Sequence, residues 1–86
     1  MITQTVVTVR YFAGAAEAAG THEDHLEVPR GATLADLAAR LAAQNERLAR
    51  VIDVASFVVD GVVTTDRDAS LNGVDAVDVL PPFAGG

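Results

Sequence analysis

The apolar positions of residues 5–12 alternate. Val7, Val9 and Tyr11 fall on one side and Val6, Thr8, Arg10 and Phe12 on the other, the period-two pattern of a half-buried strand. Tyr11 belongs in the core with a wet hydroxyl. Phe12, on the opposite face, is either a second apolar contact or part of a docking surface. Residues 13–20 are rich in alanine and glycine and read as a single helical turn or a loop. Residues 21–28 predict a second strand with Leu26 and Val28 inward, ended by the Pro29-Arg30-Gly31 turn. The period then changes. Leu34, Leu37, Ala38, Leu41 and Leu48 fall at helical spacing, and Thr33 offers an N-cap with Asp36 at the third helical position. Ala35, Ala39 and Ala42 raise helix propensity. One main helix is therefore expected over residues 34–45, followed by a connector over residues 50–55.

Two short strands, over residues 56–60 and Val62–Thr64, flank Asp60-Gly61, a tight hairpin signal. Asp66-Arg67-Asp68 reads as a polar turn with Leu71 anchoring the loop beneath it, and Asn72-Gly73 as another turn. Ala76–Leu80 is the last strand, with Val77 and Val79 on one face and Asp78 and Leu80 on the other. Strands, then a helix, then more strands imply an α+β layer fold. A hairpin followed by a crossover helix begins a β-grasp. The expectation is a mixed sheet of about four to five strands with one main helix on one face, a body over residues 1–80 and an extended tail over residues 81–86.

Composition narrows the function. At 86 residues the chain is one small domain, and half of it is apolar, enough for one core. A net charge of −6 argues against nucleic acid and anionic membrane, and for a basic partner surface. No apolar run approaches a membrane span and no basic signal-peptide region opens the chain, so a cytoplasmic protein is expected. There is no cysteine, hence no disulfide, thiolate nucleophile or thiolate metal site. All six basic residues are arginine, which a GC-rich genome accounts for, and no side-chain amine is available to attack an activated C-terminus of a sister molecule. His22 and His25 flank Glu23 and Asp24, but i and i+3 of a strand point to opposite faces, so no metal site is expected there. Arg40, Arg47 and Arg50 suit the end of a helix, either as a solvated face or as a patch for an acidic partner.

The chemistry sits at the end. Leu80-Pro81-Pro82-Phe83-Ala84-Gly85-Gly86 is an apolar strand end, two prolines, one aromatic and a tip without side chains. Glycine lacks a Cβ, so Gly85 and Gly86 fit a channel too narrow for other residues. Pro81 and Pro82 favour an extended path. Six residues from Pro81 reach roughly 20 Å at about 3.3–3.6 Å each. A bare Gly-Gly end is commonly a frayed terminus. A frayed end has no need of Pro-Pro-Phe.

These features together resemble the small sulfur-carrier subunit of molybdopterin synthase, in the ubiquitin-like β-grasp superfamily that includes the ThiS carriers. The resemblance rests on Val9-Arg10-Tyr11-Phe12-Ala13, Ala19-Gly20, Pro29-Arg30-Gly31-Ala32-Thr33-Leu34, Val59-Asp60-Gly61, Asp75-Ala76-Val77 and the tail from Leu80. The tail is its specific part. Three positions depart from the family's pattern. Gly73 stands one place earlier than usual before Asp75, Asp60 replaces a common Asn, and Phe83 replaces a small aliphatic residue. The first two alter turns. Phe83 lies in the inserted tail and bears on the partner's channel.

The resemblance implies that an ATP-using, ubiquitin-activating-like adenylyltransferase adenylates the Gly86 carboxylate. A sulfur donor then displaces AMP and leaves a thiocarboxylate. The tail enters the large synthase subunit, in a heterotetramer of two small and two large subunits, and donates sulfur to a cyclic pterin precursor. This chain would bind no cofactor itself, and the catalytic pocket would lie on the large subunit. Leu80, Pro81, Pro82, Phe83, Ala84, Phe12 and Val63 are the candidate partner-binding residues. The alternatives are a carrier for thiamine or cysteine synthesis, a ubiquitin-like modifier joined through Gly86, and a non-catalytic β-grasp interaction domain.

Overall fold

The computed structural model describes residues 4–82. The strands are β1 (Gln4–Tyr11), β2 (Glu23–Pro29), β3 (Ser56–Val59), β4 (Val62–Thr64) and β5 (Ala76–Leu80), and the helices are α1 (Gly14–Ala19), α2 (Leu34–Ala42) and α3 (Glu46–Val54). The sheet order is β2-β1-β5-β3-β4. β1 runs parallel to β5, and the other neighbours are antiparallel. The last strand therefore lies in the centre of the sheet, between the first and the third. This is the mixed sheet of an α+β β-grasp, with five strands among the described residues.

The alternation in β1 holds: Val7, Val9 and Tyr11 are buried. The register puts Val77 and Val79 beside Val9 and Tyr11, and Phe57 beside Val79. These side chains form one sheet face, and the helices cover it with Ala15, Ala18, Leu34, Leu37, Leu41, Leu48 and Ile52. Leu71 is buried in the same cluster, and its backbone N–H donates to Ala32 O at 2.9 Å. The loop it anchors thus closes over the start of α2.

Two helix starts follow their caps. Thr33 Oγ1 accepts from Asp36 N–H at 3.3 Å while Asp36 Oδ2 accepts from Thr33 N–H at 2.9 Å, a reciprocal capping box. The expected single helix, however, is two. α2 ends at Ala42, and Asn45 restarts the chain by accepting from Leu48 N–H at 2.7 Å. The physical reason is that Asn competes with the helical backbone through its side chain and favours a cap over a helix interior. Leu48 and Ile52 then bury one stripe of α3, so the expected connector over residues 50–55 is mostly helix. Arg47 and Arg50 lie on the exposed side of α3 rather than at the end of α2. Residues 14–19, expected as a turn or loop, form the short helix α1.

The hairpin between β3 and β4 turns on Asp60 (φ 45°) and Gly61 (φ 85°). Two successive positive φ values are what a two-residue primed turn requires. The Asp60 carboxylate also accepts from Asp75 N–H at 3.1 Å and Ala76 N–H at 2.9 Å. One side chain thereby ties the hairpin to the first residue of β5.

Candidate functional site at the root of the tail

The face of the sheet away from the helices carries Val6, Thr8 and Arg10 of β1, Ala76, Asp78 and Leu80 of β5, Val58 of β3 and Val63 of β4. Register makes one row across all five strands: Glu23, Arg10, Asp78, Val58 and Val63. The row is charged on the β2 side and apolar on the β4 side. At its centre Arg10 Nε lies 2.6 Å from Asp78 Oδ1. The Asp78 side chain retains 16% exposure, so the pair covers much of that carboxylate. Asp78 is therefore an ion-pair partner as well as a solvent-facing acid.

Leu80 is the last residue of β5, in register with Ser56, and is partly buried. The Phe12 N–H donates to Val79 O at 3.3 Å, which extends the parallel ladder by one step and sets Phe12 beside Leu80. Phe12 is 44% exposed and Val63 is 67% exposed, so neither is core. Leu80 stands one strand from Phe12, whereas Val63 lies two strands across and, in the Asp78 row, two residues back along the strand, roughly 12 Å away. All three expected docking residues of the body thus fall on or beside one face, Phe12 and Leu80 at the point where the chain leaves the sheet and Val63 on the edge strand of the same face. Pro81 is partly buried and Pro82 exposed. The expectations for Phe83, Ala84, Gly85 and Gly86 lie outside the described residues.

Val58 was not among the sequence candidates. It is partly buried and bridges Asp78 and Val63 in the row. Its neighbours on either side are a charged pair and an exposed valine. That follows only from the strand order.

Other chemistry is sparse. Tyr11 Oη donates to Asp24 Oδ2 at 3.1 Å. Burial pushes the Tyr11 phenol up to about 12, a Gln44 hydrogen bond opposes the shift, and the Asp24 carboxylate adds to it. His25 Nε2 lies 3.0 Å from Glu23 Oε2, an exposed pair. Among the described residues no group of three or more His, Cys, Asp or Glu side chains is placed to hold a metal ion. No helix among them is long and apolar enough to cross a membrane. What the described body offers is an open sheet face beside the strand end from which residues 81 and 82 leave.

Known structures share this architecture. The putative molybdopterin converting factor subunit 1 from Pyrococcus furiosus is 26% identical with a TM-score of 0.77, over 92% of this chain and 99% of that one. SAMP1 from Haloferax volcanii is 24% identical with a TM-score of 0.76, over 95% and 100%. A chain in the complex of subunits 1 and 2 of molybdopterin-converting factor from Helicobacter pylori is 22% identical with a TM-score of 0.67, over 95% and 100%. No curated protein is a significant sequence match. The sequence profile of the ThiS family matches residues 9–86, from the first strand through the terminal Gly-Gly. With that match over nearly its whole length, on a β-grasp sheet whose central strand runs into the tail, the chain belongs to the ThiS family of ubiquitin-like sulfur carriers.

Proposed function

We propose that this chain is the sulfur-donating small subunit of a molybdopterin synthase. The observation that carries the reading is the family match running through Gly86, joined to a Pro81-Pro82 leader at the end of the central strand. The likeness to a putative molybdopterin converting factor subunit 1 supports this reading, and a structure of the same fold is seen in complex with a second subunit.

A carboxylate is a poor electrophile until one oxygen becomes a leaving group. Adenylation of Gly86 by an ATP-using partner supplies that group, and attack by a sulfur donor releases AMP. The resulting thiocarboxylate sulfur is the nucleophile, in the role cysteine fills elsewhere. Gly85 and Gly86 place no side chain beside the attacked carbon. The sulfur attacks the cyclic pterin precursor to form a thioester with Gly86. Water then breaks the Gly86 C–S bond, leaving the sulfur on the pterin and returning the carboxylate, and two such transfers make the dithiolene. Fixing the backbone of any six-residue segment costs on the order of 6–12 kcal/mol of entropy. The two prolines lower that because their φ is already fixed. The apolar side of the open face, with Val58, Val63, Leu80 and Phe12, supplies docking area beside the tail root.

A second reading is a protein modifier attached through Gly86, favoured by the likeness to small archaeal modifier protein 1. Reconstitution separates the two. The thiocarboxylated chain is mixed with the large subunit from the same genome and a cyclic pterin precursor. Dithiolene formed by the full chain and lost without Gly85 and Gly86 supports the synthase reading. No dithiolene, with Gly86-linked adducts on cellular proteins, supports the modifier.

A further inference from the structure

Ala13 adopts φ 51° and ψ −127°. A side chain is strained in that backbone region, which glycine occupies freely. Asp60, the other described non-glycine residue with positive φ, sits in a hairpin turn that calls for it. Ala13 precedes a helix and makes no side-chain capping bond. Glycine stands one position later, at Gly14, where the backbone is helical and needs none.

What holds Ala13 there is a set of bonds on its flanking peptide groups. Phe12 N–H donates to Val79 O at 3.3 Å, and Phe12 O accepts from Ala15 N–H at 3.0 Å. Ala13 O accepts from Ala16 N–H at 3.0 Å and from Glu17 N–H at 3.3 Å. Residues 12 and 13 are thus tied to β5 on one side and to the first turn of α1 on the other. Strain persists only where surrounding structure over-determines it, and it concentrates where geometry must be held for function. The side chain held here is Phe12, an exposed aromatic ring next to the strand end that carries the tail.

We propose that Ala13 is a positioning residue: its constrained backbone presets Phe12 as an aromatic anchor for an apolar pocket on the protein that receives the tail. The identity of that receiving protein rests on the synthase reading above, whereas the backbone claim does not. A preset aromatic anchor loses little freedom on docking, which is why such side chains dominate binding at interface centres. A glycine at position 13 removes the strain and lets the joint between β1 and α1 sample more conformations. Stability and binding should therefore move in opposite directions, which a merely structural defect would not produce.

The test compares the full chain with Ala13→Gly, Phe12→Ala and the double variant. In the free proteins, Ala13→Gly should raise the thermal midpoint and lower the NMR order parameter of the Phe12 amide. An unchanged or lower midpoint, or an unchanged order parameter, overturns the proposal. In binding to the large subunit, Phe12→Ala should weaken affinity at least about tenfold and Ala13→Gly several-fold. The Ala13→Gly effect should disappear in the Phe12→Ala background. Persistence of that effect, or wild-type affinity for either single variant, contradicts the proposal. If the wild-type chain itself does not bind the subunit, the synthase reading fails, and the free-protein comparison still decides the role of Ala13.

Discussion

Arg10 Nε stands 2.6 Å from Asp78 Oδ1, joining the first strand to the last across their parallel pairing. Their side chains are 48% and 16% exposed, so solvent screens the pair. Exposed ion pairs of this kind contribute about 0–1 kcal/mol. Arg10→Ala should accordingly shift the urea midpoint little. Its larger effect should be on the association rate with the large subunit, and that effect should shrink as salt is raised. Stopped-flow association at two ionic strengths reads this out. A salt-independent rate would place the pair outside the docking surface.

The Asp60 carboxylate accepts the N–H groups of Asp75 and Ala76 while its own backbone sits at φ 45°. Asp60→Ala removes both acceptors and puts a Cβ with no local hydrogen bond into the left-handed region. The expected loss is about 1–3 kcal/mol in urea unfolding. Asp60→Asn keeps a carbonyl acceptor and tolerates positive φ, so it should lose less than half as much. Equal losses would mean that the carboxylate bonds are incidental.

Leu48 and Ile52 are buried at 0% and 3% exposure on α3. Leu48→Ala should destabilise by about 2–5 kcal/mol, the range for truncating a core leucine. A loss under about 1 kcal/mol would contradict the packing of α3 on the sheet.

That helix also marks where the sequence misleads. The strand alternation at Val7, Val9 and Tyr11, the Thr33 cap and the Asp60-Gly61 hairpin are local signals, and each element forms where its signal lies. α3 had its own signal in Asn45 and the Leu48, Val51, Ile52 spacing. It was hidden because Leu48 also continues the α2 stripe at seven residues from Leu41, so one long helix fits the period equally well. The site divides similarly. The Pro-Pro and Gly-Gly residues of the proposed tail are visible in the sequence itself. That Phe12 flanks Leu80 at the exit point, with Val63 farther along the same face, depends on β5 inserting between β1 and β3, which no local pattern encodes.

Tyr11 gives a pH test. Its phenol is neutral when protonated, and burial raises its pKa to about 12 from an ordinary 10. Between those values the folded state holds a proton that the unfolded chain has released. Stability from this group is complete below about pH 10 and falls as pH rises towards 12, by on the order of 2–3 kcal/mol in full. Urea unfolding at pH 9 and pH 11.5 should show the decline in the wild type. Tyr11→Phe should show a shallower one, and equal slopes would contradict the assignment.

The most direct test of the carrier account is the intact mass of the protein purified from its native host, beside a truncation lacking Gly85 and Gly86. The account predicts a population heavier by one sulfur-for-oxygen exchange, sensitive to alkylation and absent from the truncation. Only the plain carboxylate, even with the host's sulfur-activating enzyme co-expressed, would contradict it.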